Sequence, residues 1–237
     1  MRKTVMAGAA VLLLCLLGTI SEAQTVNTTL SNRQQAIVPI AAFAASGQMP
    51  ALKIALHDGL EAGLTVNEIK EVLVQLYAYT GFPRSLNALG AFQAVLGERA
   101  AKGIRDKPGN EATPVSQEKT SLERGTEVQT ALVGAPVKGG LMDFAPAVDE
   151  FLKAHLFGDI FGRDNLDWQS REIATVSALA SMDGVESQLG SHCRISKNVG
   201  LSAEQMKSLA ATLRAKVSAL AGEKVDAILE EERGIQP

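Results

Sequence analysis

Cysteine is nearly missing from this sequence: of its two, Cys15 lies in an N-terminal apolar run and Cys193 stands alone. A chain that loses its first segment has no internal disulfide, so its stability must come from an ordinary core. Aromatic residues are also scarce, at 4%, against 46% hydrophobic residues rich in Ala and Leu, a balance that favours close-packed helices over sheets. No stretch shows the apolar–polar alternation of a strand. There is no excess of positive charge either. The net charge of -3, with no basic patch, argues against a nucleic-acid partner. His57 and His155 lie among Asp58, Glu61, Asp149 and Glu150 without the spacing of a metal site. No phosphate-binding glycine loop or serine nucleophile elbow appears, and no cofactor is implied.

What is present begins with MRKTVMAGAAVLLLCLLGTISEAQ, which has a basic start, an apolar run and a small-residue exit. It reads as a secretory signal over residues 1–23, with the mature chain starting near Gln24. The run from Val11 to Leu17 is too short to span a bilayer. The expectation is therefore an exported, periplasmic protein with no membrane span once the signal is removed.

The chain then repeats itself. With one extra residue allowed in the second loop, Leu30 lies over Leu166, Ile37 over Ile173, Leu52 over Leu189, and Gly63-Leu64-Thr65 over Gly200-Leu201-Ser202. Each copy reads as helix, turn, helix, glycine stop, helix. Gly63 and Gly200 suit the left-handed residue that closes a helix. Thr65 with Glu68, and Ser202 with Gln205, fit capping boxes, and Leu64–Ile69 and Leu201–Met206 fit the accompanying hydrophobic staples. The fold expected is all-α, in two pseudo-repeated units: residues 24–102 and 128–237, joined by a polar linker over 103–127 that turns helical towards its end.

Two stretches carry a resemblance. LTVNEIKEVLVQLYAYTGFPRSLNAL and FGDIFGRDNLDWQSREIATVSALA, the second followed by QLGSHCRISKNVGLS, resemble the carboxymuconolactone decarboxylase family, which includes lactone decarboxylases and thiol peroxidases of the alkylhydroperoxidase D type. The resemblance implies an all-helical homo-oligomer, a trimer or hexamer, with sites at helix and subunit junctions. The copies have diverged in a complementary way. The second keeps Arg171-Glu172 and His192; the first keeps Tyr79 and Gly81-Phe82-Pro83 but has Ala55 in place of the histidine and Gln35-Ala36 in place of Arg171-Glu172. One composite site per chain follows.

The candidate catalytic residues are His192, Glu172 and Cys193; the candidate substrate-binding residues are Arg171, Tyr79 and Arg84; no metal ligand is expected. On a helix Val185, Leu189, His192, Ser196 and Val199 form one stripe, so His192 faces inward, as a packed core histidine or as a proton carrier. Glu172 either complements the dipole of its helix start or partners His192. Arg171 is a surface charge or a planar clamp for a carboxylate. Tyr79 and Arg84 flank a helix break that forms a pocket rim or a tight subunit contact. Cys193 is a buried filler or an oxidisable thiol. The alkylhydroperoxidase D branch requires two cysteines before the histidine, and those places hold Val185 and Gln188. The leading expectation is an exported, cofactor-free enzyme that acts by proton transfer on a small carboxylated lactone or related organic acid. The alternatives are a single-cysteine thiol peroxidase and a non-catalytic helical oligomer that binds a small molecule.

Overall fold

The computed structural model describes residues 28–116 and 118–234, apart from the side chain of Arg233. The expected signal over 1–23 lies outside the described residues. Within them every regular element is helical. The first unit comprises α1 (Asn32–Ser46), α2 (Met49–Glu61), α3 (Val66–Thr80) and α4 (Phe82–Ala101). Next come α5 (Ser121–Val133), the short α6 (Leu141–Phe144) and α7 (Pro146–Phe151), and a π-helix over Leu152–Ile160. The second unit is α8 (Trp168–Ala180), α9 (Glu186–Asn198), α10 (Ala203–Lys216) and α11 (Ala219–Gly234).

The repeat is realised in backbone detail. Gly63 and Gly200 take φ of 90° and 93°, a region that disfavours any side chain. Thr65 and Ser202 each accept from the backbone N–H three residues on, and Glu68 and Gln205 reach back to complete both capping boxes. Ser31 and Asp167 also cap α1 and α8 at equivalent places. Every residue of α1 from Ala36 to Ala45 is buried, as expected of a helix apolar on all sides. It packs on its repeat partner α8 and on α2, α3 and α10. Leu30, Leu52 and Leu73 accordingly share one core with Leu166, Leu189 and Leu209. The two copies thus form one structural body.

The polar segment over 103–127 is irregular first and helical towards its end. Thr120 and Glu123 form a capping box that starts α5 at Ser121, so the irregular segment ends at Thr120. That segment is tied down by polar contacts rather than apolar ones. The carbonyls of Lys107 and Pro108 accept from the free N–H groups of Val66 and Asn67 at the start of α3, and Asp106 pairs with the buried Arg99 at 2.8 Å. Helix α5 then lies against the π-helix so closely that a Cβ on Gly125 would fall 1.6 Å from the Lys153 carbonyl oxygen. This pair rests on the second unit through a small separate cluster of Leu132, Leu156, Phe157, Ile160, Phe161 and Ile195.

Candidate functional site

Helix α3 carries Glu71, Gln75 and Tyr79 at intervals of four, one stripe of polar groups on an otherwise apolar inward face. Facing it, α8 carries Arg171, Glu172 and Thr175, all fully buried. The two stripes bond across the repeat interface. The Arg171 guanidinium donates to Glu71 Oε2 at 3.1 Å and to Gln75 Oε1 at 3.2 Å. Gln75 Nε2 in turn donates to the Arg171 carbonyl at 2.9 Å and to Thr175 Oγ1 at 2.8 Å. Arg163 adds a two-pronged contact to Glu71, with nitrogens 2.8 to 3.1 Å from its oxygens. Burial opposes ionisation of Glu71, but hydrogen bonds from Arg163, Asn165 and Arg171 outweigh it and hold the carboxyl below its ordinary range.

This polar spine ends at the site. Glu172 Oε2 lies 2.8 Å from His192 Nδ1, and neither side chain has more than a tenth of its surface exposed. The other imidazole nitrogen, Nε2, is 3.5 Å from the Tyr79 hydroxyl, a long contact, with the two rings edge to face. Burial, reinforced by the nearby Glu172 carboxylate, holds the Tyr79 phenol far above its usual range, so it stays protonated. A protonated phenol donates. The neutral imidazole that satisfies both neighbours therefore carries its proton on Nδ1, towards Glu172, and presents Nε2 as an acceptor towards Tyr79. Glu172 Oε1 is buried without a hydrogen-bond partner among the described residues.

Tyr79 and His192 both line a cavity of about 930 Å³. Its walls are mainly apolar, with Val133 following Gln129 on α5, Leu152, Leu156 and Phe157 on the π-helix, and Ile195 on α9. The Glu172–His192 pair and Tyr79 are thus brought together within one chain.

Other expected site residues lie elsewhere. Arg171 is fully buried and does not reach the cavity; besides Glu71 and Gln75 it holds the carbonyls of Leu166 and Arg163, both at 3.2 Å. Its counterpart Gln35 makes the same bond, donating to the Leu30 carbonyl at 2.8 Å. The shared bond assigns position 171 to the architecture of the repeat and leaves no free guanidinium face for a substrate. Arg84 donates to the Ala45 carbonyl at 2.5 Å, closing the C-terminal end of α1, and is also outside the cavity. Of the turn from Tyr79 to Arg84, only Tyr79 lines it. Cys193 is fully buried in the main core, where the first repeat places Leu56, and burial pushes its thiol up to about 12. It does not line the cavity.

Gln129 and Arg194 do line the cavity, and sequence reasoning missed them. Nothing in the polar segment around Gln129 marked it, because its position depends on how α5 docks. Arg194, two residues from His192, was within reach of the same helical reading, which followed only the inward stripe. Val185 and Gln188, the places where the thiol-dependent relatives would carry cysteines, line the cavity as well. Among the described residues no group of three His, Cys, Asp or Glu side chains is placed to hold a metal ion, and no helix is long and apolar enough to cross a membrane.

The fold and site define an all-helical protein of two fused repeats, in which the second supplies a carboxylate–histidine pair and the first a tyrosine. Residues 17–94 and 146–230 each match the model of the carboxymuconolactone decarboxylase family, and together they take in well over half of the sequence. The chain belongs to that family, as a double-repeat member. No curated protein matches it significantly. Helix α5 falls between the two matched regions.

Proposed function

We propose that the protein is an enzyme that transfers protons within the 930 Å³ cavity, acting on an organic acid such as a carboxylated lactone and catalysing its decarboxylation without a cofactor. The observation that carries this reading is the 2.8 Å contact between Glu172 and His192, with the far nitrogen of the ring turned to Tyr79 and the cavity. In such a reaction the bond from the ring carbon to the carboxylate breaks and carbon dioxide leaves. The electron pair passes into the lactone carbonyl as an enolate, and a proton returns to the carbon. The reaction consumes one proton, which water supplies to Nε2. Glu172 orients the imidazole through Nδ1 and stabilises the resulting imidazolium, His192 passes that proton from Nε2 to the carbon, and the Tyr79 phenol turns its hydrogen bond from Nε2 to the developing oxyanion. The mainly apolar walls lower the local dielectric around these charges and so strengthen their interactions.

The test is carbon dioxide release from a panel of carboxylated lactones. His192→Ala should lower kcat by about 10²–10⁴-fold while leaving the helical content unchanged. Turnover that survives this change would overturn the assignment. The thiol-peroxidase alternative draws little support from Cys193, whose burial and raised pKa leave almost no thiolate.

The reading includes export and self-association. Phe82 and Leu86 on α4 are each 61% exposed, and Phe144 and Phe151 in α6 and α7 more so, apolar surface that other copies would cover. Light scattering of the mature chain at micromolar concentration should give a trimer or hexamer, and a monomer alone would count against it.

A further inference from the structure

Among the polar side chains of the cavity that the proton-transfer scheme does not use, which also include Gln188, Ser191, Lys197, Asn198 and Glu232, two carry the argument here, Gln129 and Arg194. Gln129 on α5 is 4% exposed, yet its amide has no hydrogen-bond partner among the described residues, and it lines the cavity. The amide faces the space of the cavity rather than being sealed in protein, so it is satisfied by whatever fills that space, water or ligand. Arg194 on α9 is an exposed side chain that also lines the cavity, and among the described residues only its Nη2 is engaged, by Ser191 Oγ at 3.1 Å. It has no carboxylate partner among the described residues, whereas its neighbour Lys197 is already paired with Glu232. Arg194 also borders a smaller adjoining hollow, so it stands at the margin of the large cavity rather than in its depth. The apolar side chains of the π-helix and Ile195 line the same cavity. About 930 Å³ is at the upper end of the volumes that enclose drug-sized ligands, and a single-ring acid would leave most of it unfilled.

We propose that Gln129 and Arg194 determine what the cavity binds: an organic acid with an extended apolar body, larger than a single ring. Its carboxylate pairs with Arg194 at the margin, and a second oxygen, a carbonyl or hydroxyl, is read by the Gln129 amide. The amide can donate to a carbonyl or accept from a hydroxyl, which makes it a specificity residue for either. Arg194 recognises the carboxylate through its planar fork. This inference rests on the reading of the cavity as the place where an acid reacts, but it concerns binding and is tested without turnover.

The experiment is calorimetric titration of the full chain with 1-decanol, decanoate and a series of hydroxydecanoates whose hydroxyl is moved along the chain. Decanoate should bind about tenfold more tightly than decanol, and Arg194→Gln should remove that preference. At least one hydroxydecanoate should bind about fivefold more tightly than decanoate, and Gln129→Leu should abolish the gain without altering the preference over decanol. Gln129→Met serves the same purpose if the leucine variant does not fold. His192→Ala should keep both preferences, which separates failure of the proton-transfer reading from failure of this one. Equal binding of decanoate and decanol, or preferences that persist in the two variants, would overturn the proposal.

Discussion

His192 and Cys193 are neighbours in sequence and opposites in circumstance. Successive residues on a helix point about 100° apart, so α9 turns the imidazole to the cavity and the thiol into the core. Glu172 fixes the imidazole by one nitrogen, leaving the other free to exchange protons with whatever occupies the cavity. Cys193 fills the volume that Leu56 fills in the first repeat, among groups that give its hydrogen no use. Cys193→Ser should therefore keep turnover near that of the parent while costing about 1 kcal/mol of stability, because a more polar group enters the apolar core with only the carbonyl four residues back as its partner. Parallel activity and urea-unfolding measurements check this. Loss of activity in a folded Cys193→Ser protein would point instead to thiol chemistry.

Elements are placed by close approaches as much as by apolar stripes. Helix α5 has a weakly apolar sequence, yet it forms a wall of the cavity because Gly125 and Gly158 let its backbone meet the π-helix. A Cβ on Gly125 would meet the carbonyl of Lys153 and the amide of Gly158, which are backbone atoms and cannot swing aside. Gly125→Ala should then part the two elements, lowering stability by about 1–3 kcal/mol and weakening ligand binding. Gly97→Ala on exposed α4, where an added Cβ meets nothing within 4 Å, should have the opposite sign and raise stability by about 1 kcal/mol. Thermal unfolding of the two variants beside the parent tests the pair, and a stabilising Gly125→Ala would show that the approach is not tight.

At the scale of the whole molecule, the two repeats are joined by a shared apolar core and by the buried bonds around Glu71 and Arg171. Glu71 is held below its ordinary value near 4.5, with hydrogen bonds from Arg163, Asn165 and Arg171 prevailing over burial. A carboxyl with a depressed pKa binds protons less readily when folded than when unfolded. Its contribution to stability is complete above the unfolded value and is lost as pH falls through the lower, folded one. Acid unfolding should accordingly steepen below about pH 4.5, and Glu71→Gln should flatten that limb while lowering stability at neutral pH. Chemical unfolding across pH 3–7 measures it, as a series spanning about four units around the carboxylate range. An unchanged acid limb in Glu71→Gln would exclude this carboxylate as the cause.

Sequence alone determined the helices, the duplicated glycine hinges and the capping boxes, because these depend on residues within a turn or two of one another. It also determined that the carboxylate–histidine pattern survives in one copy and the tyrosine in the other. The buried spine went unread, although Glu71, Gln75 and Tyr79 recur every four residues on an apolar face, a pattern that paired polar groups sustain in a core. Tertiary structure decided which partners those groups take. Arg171 and Glu172 are adjacent in the chain, yet one is consumed by Glu71 and Gln75 and the other is directed to His192, an outcome set by the packing of α8 on α3 and α9. The roles of Gln129 and Arg194 likewise exist only once α5 and the π-helix close over α9, because a cavity is a property of surfaces brought together from distant parts of the chain and no local pattern encodes it.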